Sequence, residues 1–315
     1  RDPLWSRGLG DVYKRQDYSW CELSSIFAMQ GFAGLTLFSV LVLMALGLAI
    51  IFGQMGVINM AHGEFMILGA YVTYLVSTLA QAHAPALMPI TFFISMGLAF
   101  IVSGAAGMAV EWGLIRFLYR RPLDTLLATW GLSLIMQQAF RSIFGAREVG
   151  VTLPDWMMGS LALTDMVEVP INGLIVMGIT LTITLAVWLL MYRSRFGARV
   201  RAVVQNRPMA GAVGIDTEKV DRLTFGLGCG IAGIAGSAFT MIGSTGPSAG
   251  QLYIVDTFLV VVFGGAASLI GTLASAFAIS QAQSTMEFFL SGSMAKVPVS
   301  YTHLRAHETR EDRVC

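Results

Sequence analysis

Between Phe32 and Phe52 the chain runs without one charged side chain, and after a short polar interruption a second apolar stretch carries it to Ala80. About 20 such residues, coiled as a helix, cross the ~30 Å hydrocarbon core of a bilayer. Lipid offers no hydrogen-bond partner to the backbone, so each run must satisfy its own N–H and C=O groups, which a helix does. Only 12% of the residues are charged and 55% are hydrophobic, where a soluble domain carries roughly 25% charge. A soluble globular domain is excluded, and a net charge of +1 leaves no basic footprint for nucleic acid.

About eight stretches have the length of a span. They cover residues 31–52, 63–80, 88–115, 125–144, 171–192, 222–243, 254–271 and 273–290. The expected fold is therefore all-α, a polytopic membrane helix bundle of about eight spans with broken helices. The first run is too long for the core of a signal peptide and has no cleavage-like exit, so it reads as a true span. Both ends join the body abruptly. Residues 1–16 ("RDPLWSRGLGDVYKRQ") and 299–315 read as adaptor-derived sequence, leaving 17–298 as the transmembrane body.

Arginine placement sets the expected orientation. Arg116, Arg120 and Arg121 lie in one short connection and Arg193, Arg195, Arg199, Arg201 and Arg207 in another. Both should face the cytoplasm. The segment between the two intervening spans holds Glu148, Asp155, Asp165 and Glu168 against Arg147, as the outer side should. By the same parity Leu290 ends outside, which implies a further span beyond it.

The polar interruption is "GQMGVINMAHGEF", residues 53–65. His62 and Glu64 stand at i and i+2, which points them about 200° apart on a helix, and no third ligand follows, so a metal site is not indicated. Cys21, Cys229 and Cys315 show no paired spacing. No GxSxG nucleophile motif and no GxxxxGK[ST] phosphate loop occurs, so catalysis and ATP binding by this chain are not expected. The remaining reading is a broken helix. Gly53, Gly56 and Gly63 allow a kink or close approach, while Asn59, His62 and Glu64 satisfy freed backbone groups or line a watery path. A carboxylate inside a membrane is a functional candidate by default. Few carboxylates, Glu64, Glu111 and Glu287 among them, lie near spans, too few for a proton-driven carrier.

Two polar stripes accompany the break. Thr129, Ser133 and Gln137 recur at i, i+4 and i+8, and Gln281, Ser284 and Glu287 at i, i+3 and i+6. Each stripe either lines a conduit for a small hydrogen-bonding solute or bonds helix to helix. The glycines of "GLGCGIAGIAG", at Gly226, Gly230 and Gly233, suit close helix packing. Between spans, over a loop at 193–222, Asn206 is a plausible N-cap, Pro208 fits a first turn and Gly214 suits a left-handed cap. Such a short helix either docks in a groove of a soluble partner or lies on lipid headgroups.

Three motifs carry a resemblance. "GLAIIFGQMGVINMAHGEFMILGAYV", "IRFLYRRPLDTLLATWGLSLIMQQ" and "RFGARVRAVVQNRPMAGAVGI" resemble the inner-membrane permease of the branched-chain amino acid ABC importer family, and most closely its urea-transport subgroup. The likeness covers about residues 31–297. It implies a subunit that pairs with a second homologous permease, two cytoplasmic ABC ATPases holding ATP and magnesium, and an extracytoplasmic solute-binding protein, in the bacterial inner membrane. It implies that 196–214 corresponds to the coupling region, with Gly197, Ala198, Arg201, Ala202, Asn206, Ala210, Gly214 and Ile215 matching the family pattern. It implies a final span after Val297. Urea, neutral and rich in hydrogen-bonding groups, suits a path along polar stripes. A branched-chain amino acid is the alternative solute, and a passive channel or gradient-driven carrier the alternative machine.

Overall fold

The computed structural model describes residues 20–289 except 120, 165, 166 and 267. The two segments read as adaptor sequence, Arg120, Asp165 and the span expected after Val297 all lie outside the described residues. Ten α-helices are present among the described residues. They are α1 (Trp20–Met55), α2 (His62–His83), α3 (Met88–Gly113), α4 (Pro122–Phe144), α5 (Ile171–Arg193), α6 (Arg195–Gln205), α7 (Arg207–Ala212), α8 (Thr217–Phe239), α9 (Ala249–Gly264) and α10 (Leu269–Phe289). An antiparallel hairpin, β1 (Ser160–Thr164) with β2 (Val167–Pro170), precedes α5.

α1 is the axis of the bundle. Every residue from Ser39 to Ile51 is buried, as expected of a helix that is apolar on all sides. Around it, α2, α3 and α8 pack so closely that side chains are excluded at the crossings. A Cβ on Gly233 of α8 would lie 2.6 Å from the Ala99 carbonyl oxygen of α3, and one on Gly107 of α3 would lie 2.6 Å from Cys229 Cβ. The glycine pattern of α8 is thus a packing device. In lipid, where burial of apolar surface gives little net gain, such backbone approach and interhelical hydrogen bonds hold helices together. Three of those bonds are Ser103 Oγ to the Phe65 carbonyl at 3.1 Å, Thr180 Oγ1 to the Ser39 carbonyl at 3.1 Å, and Thr73 to Ser237 at 2.6 Å.

The outer faces stay apolar. Leu181, Leu185 and Trp188 of α5 and Leu123, Leu127 and Ile135 of α4 are exposed. Five helical stretches, Phe27–Met55, His62–His83, Pro85–Phe117, Ile171–Arg193 and Thr217–Phe239, are long and apolar enough to cross a membrane by length and composition. The other stretches read as spans correspond to α4, α9 and α10, of which α9 has only 16 residues.

The structure departs from the sequence reading in three places. The run 254–271 is not one helix. α9 ends at Gly264, Gly265 takes φ +78°, and Ser268 Oγ accepts from Gly271 N–H at 3.1 Å to start α10. Secondly, 193–222 is mostly helix, because α5 runs to Arg193 and α8 begins at Thr217. Finally, the hairpin adds a small β element to an otherwise helical fold. Its strands of five and four residues are too short to announce themselves by alternation.

Candidate functional site

The interruption at 53–65 is a helix break. α1 ends at Met55, Gly56 turns the chain with φ +66°, and α2 starts at His62. The backbone groups released there find partners. Asn59 Oδ1 accepts from Ala61 N–H at 3.1 Å, and Thr129 Oγ1 of α4 accepts from Met60 N–H at 3.1 Å. His62 Nε2 donates to the Met44 carbonyl of α1 at 3.2 Å. Gly63 meets Gly250 of α9, where a Cβ on Gly250 would fall 2.7 Å from the Gly63 carbonyl oxygen. The break is thereby wedged between α1, α4 and α9.

Glu64 sits in the first turn of α2 and is 1% exposed. Its Oε1 accepts two hydrogen bonds from α4, from Ser133 Oγ at 3.1 Å and Gln137 Nε2 at 2.8 Å. Gln137 Nε2 also donates to Ser133 Oγ at 3.2 Å, and Thr129 Oγ1 donates to the Leu126 carbonyl at 3.0 Å. Six residues singled out by sequence, Asn59, His62, Glu64, Thr129, Ser133 and Gln137, therefore form one buried assembly. Asn59 Nδ2, His62 Nδ1, Glu64 Oε2 and Tyr71 Oη are buried in it without a hydrogen-bond partner among the described residues.

The second stripe is used elsewhere. Ser284 Oγ donates to the Gln30 carbonyl at 2.8 Å and accepts from Gln30 Nε2 at 3.0 Å, while Gln281 Nε2 donates to the Gly31 carbonyl at 3.3 Å. These bonds fasten α10 to the beginning of α1. Glu287 is exposed and shares no bond with the Glu64 assembly.

The segment likened to a coupling region is built as expected at its ends. Asn206 Oδ1 accepts from Met209 N–H at 3.0 Å and caps α7. Gly214, at φ +86°, donates to the Gly211 carbonyl at 3.0 Å, and Ile215 N–H reaches the Ala210 carbonyl at 3.0 Å. That pair of bonds is a Schellman C-cap. Gly197 lets α6 turn against α5, since a Cβ there would lie 2.7 Å from the Leu190 carbonyl oxygen. Arg201 donates to the Met191 carbonyl and its guanidinium lies 5.7 Å from the Tyr192 ring centroid. Ala202 accepts from Asn206 N–H at 3.1 Å, and Ala210 and Ile215 pack with Val200, Val203 and Val220. Ala198, Met209 and Val213 face outward.

Sequence reasoning missed the groups that anchor this segment. Ser194 caps α6 by accepting from Gly197 N–H at 3.1 Å. Arg207 pairs with buried Asp221, and Arg222 Nε pairs with buried Glu111 at 3.3 Å. Tyr119 Oη donates to Glu111 Oε1 at 2.7 Å. The available signal was the placement of opposite charges at the ends of apolar helices, at 111 in α3 and at 221 and 222 in α8.

Comparison with known proteins agrees with this architecture. The family model described as "Branched-chain amino acid transport system / permease component" matches residues 31–303. The high-affinity branched-chain amino acid transport system permease protein LivH of Salmonella typhimurium is 28% identical over 277 residues, covering 84% of this chain and 87% of its own. BraD of Pseudomonas aeruginosa, of the same description, is 27% identical over 253 residues, covering 76% and 80%. A probable LivH of Methanocaldococcus jannaschii is 26% identical over 262 residues, covering 81% and 79%. No solved structure matches the chain significantly. None of these names concerns urea, and the likeness to the urea-transport subgroup gains no support from them. With the family pattern met along most of its length by a bundle of apolar helices, the chain belongs to the branched-chain amino acid transport permease family, whose members are membrane transport subunits and not enzymes.

Proposed function

We propose that this chain is the permease subunit of an ATP-driven importer of branched-chain amino acids. The observation that carries the choice of solute is where polar and apolar groups are spent. The stripe on α4 offers urea no free donor, because the hydroxyl and amide donors of Ser133 and Gln137 are committed to Glu64 and to each other. Ser284 and Gln281 are likewise committed to Gln30 and Gly31. By contrast a cavity of about 400 Å³ between α1, β2, α5, the end of α8 and α9 is lined by Phe32, Leu37, Val40, Phe239 and Ile242, with Glu168 among its polar groups. Full burial of an aliphatic side chain is worth about 1.5–3 kcal/mol, a gain that urea has no group to make. The names of the relatives point the same way.

In this reading the subunit works by alternating access beside a second permease subunit. Two cytoplasmic ATPases bind ATP and magnesium, and an extracytoplasmic binding protein delivers the solute. The α6–α7 segment faces the cytoplasm and presents Met209 and Val213 to an ATPase groove. The break at Glu64 acts as a gate element, since a discontinuous helix is the part of a bundle most easily reset. The bundle spans the inner membrane of the cell.

Uptake into proteoliposomes holding the complete complex tests the reading. Labelled leucine should enter in an ATP-dependent, saturable manner and labelled urea at background rate; uptake of urea without leucine would refute it. Leu37→Asn, which sets an amide in the apolar lining, should raise the KM for leucine about tenfold, the equivalent of ~1.4 kcal/mol. At the other end, Gly214→Val forces a β-branched residue into a left-handed conformation at a cost of roughly 1–2 kcal/mol. Copurification of the ATPases should fall with it, while the permease still reaches the membrane.

A further inference from the structure

We propose that two ion pairs, Arg207–Asp221 and Arg222–Glu111, joined through Tyr119, are the link by which a displacement of α7 passes into the α3–α8 helix pair. The proposal rests on the reading of α7 as the helix an ATPase moves, and it names positioning residues, not solute contacts.

α7 has six residues and few ways to pull on the bundle. Its Met209 and Val213 are exposed, and within the helix only Ala210 joins the small apolar cluster of Val200, Val203 and Val220. Arg207, its first residue, is held differently. The guanidinium pairs with Asp221 of α8 and lies 5.3 Å from the centroid of the Tyr119 ring. From that ring the phenol donates to Glu111 Oε1 at 2.7 Å, and Glu111 Oε2 accepts from Arg222 Nε at 3.3 Å. The chain of contacts thus leaves α7, touches α8 at Asp221, passes through Tyr119 to the last turn of α3, and returns to α8 at Arg222.

Both carboxylates are buried, Glu111 at 2% exposure and Asp221 at 4%. A buried carboxylate deprived of its cation is unstable, so each pair resists separation and its members move together. Burial, and the hydrogen bond given to Glu111, push the Tyr119 phenol up well beyond its usual range, so it stays a donor at any working pH. A small cavity of about 180 Å³ beside Tyr119 is lined by Arg116, Arg207 and Arg222 together with Glu111 and Glu218.

Beyond the ion pairs the path is backbone on backbone. A Cβ on Gly104 of α3 would lie 3.1 Å from the Gly226 carbonyl oxygen of α8, and Gly233 farther along meets both Ala99 of α3 and Gly69 of α2. Helices in such contact cannot slide independently, since packed interfaces are bistable and do not deform continuously. Displacement of α8 therefore reaches α2, whose first turn carries Glu64.

The test uses the complete complex in proteoliposomes, measuring leucine uptake and ATP hydrolysis together. Arg207→Gln should leave the ATPases bound and hydrolysing, while leucine moved per ATP falls about tenfold. Tyr119→Phe, which keeps the ring under Arg207 and removes only the bond to Glu111, should lower the ratio about threefold. The charge exchange of Arg207→Asp with Asp221→Arg should recover most of the ratio lost in Arg207→Gln. An unchanged ratio in Arg207→Gln and Tyr119→Phe overturns the proposal. So does an equal loss of assembly and ratio in both variants, because that marks a merely structural role. If the unaltered complex moves leucine without ATP, the functional reading has failed instead, and the two failures are distinguishable.

Discussion

Gly236→Leu is expected to abolish recovery of folded protein. A Cβ at this position of α8 would overlap the carbonyl of Met66 and lie 2.9 Å from the backbone nitrogen of Ala70, both in α2. Neither atom is the end of a flexible side chain. To make room α2 must move, yet it is fixed by the Gly63–Gly250 contact at its start and by Gly69 against Gly233 farther along. Overpacking of a core usually costs about 1–3 kcal/mol when side chains can adjust. Here the helices themselves must separate, against a typical total stability of about 5–15 kcal/mol. Even Gly236→Ala should lower the melting temperature in detergent sharply, read by size-exclusion chromatography after heating. Gly97→Ala and Gly131→Ala serve as controls, since a Cβ at either position meets nothing within 4 Å. Both should hold or gain up to ~1 kcal/mol from better helix propensity. A monodisperse Gly236→Leu protein with unaltered melting would show that α2 and α8 do not touch as described.

That contact was only half legible in the sequence. The small-residue spacing at Gly226, Gly230 and Gly233 announces a helix face that something approaches closely, but no single sequence says which helix does so. The same division recurs at the site. Gly56 and Asn59 within an apolar run mark a break because lipid forbids an unsatisfied backbone, and that constraint is local. The stripe Thr129, Ser133 and Gln137 is also local, being one face of one helix. Their union at Glu64 joins positions 64 and 137, and depends on how α2 and α4 pack. The charges around Tyr119 stand out at the ends of apolar helices, but their pairing does not, as Glu111 and Arg222 lie far apart in the chain. Where local chemistry decides, as in the Asn206 and Gly214 caps, sequence and structure coincide. At 263–271 hydropathy misleads, because a turn made by Gly264 and Gly265 is as apolar as the helices it separates.

The union at Glu64 supplies the other large effect. Glu64→Ala should cut leucine uptake per folded complex at least about tenfold, and lower stability as well, because it takes the acceptor from the buried Ser133 hydroxyl and from one N–H of Gln137, at about 1–3 kcal/mol each. α4 exposes Leu123, Leu127 and Ile135 on its other side, and among the described residues its side-chain hydrogen bonds to α2 and the break are few: Thr129 at the Met60 amide, then Ser133 and Gln137 at Glu64. Without the carboxylate, α4 loses its hold on the first turn of α2, and the broken helix loses the element that sets its position. Glu64→Gln tests what the carboxylate contributes. Its amide oxygen can accept the same bonds from Ser133 Oγ and Gln137 Nε2, so the tie survives while the charge is gone. Yield and uptake in Glu64→Gln should therefore stay within about twofold of the unaltered protein. Should Glu64→Gln instead fold normally and lose uptake as completely as Glu64→Ala, the charge itself, and not the bond between α2 and α4, would be what the transport cycle uses.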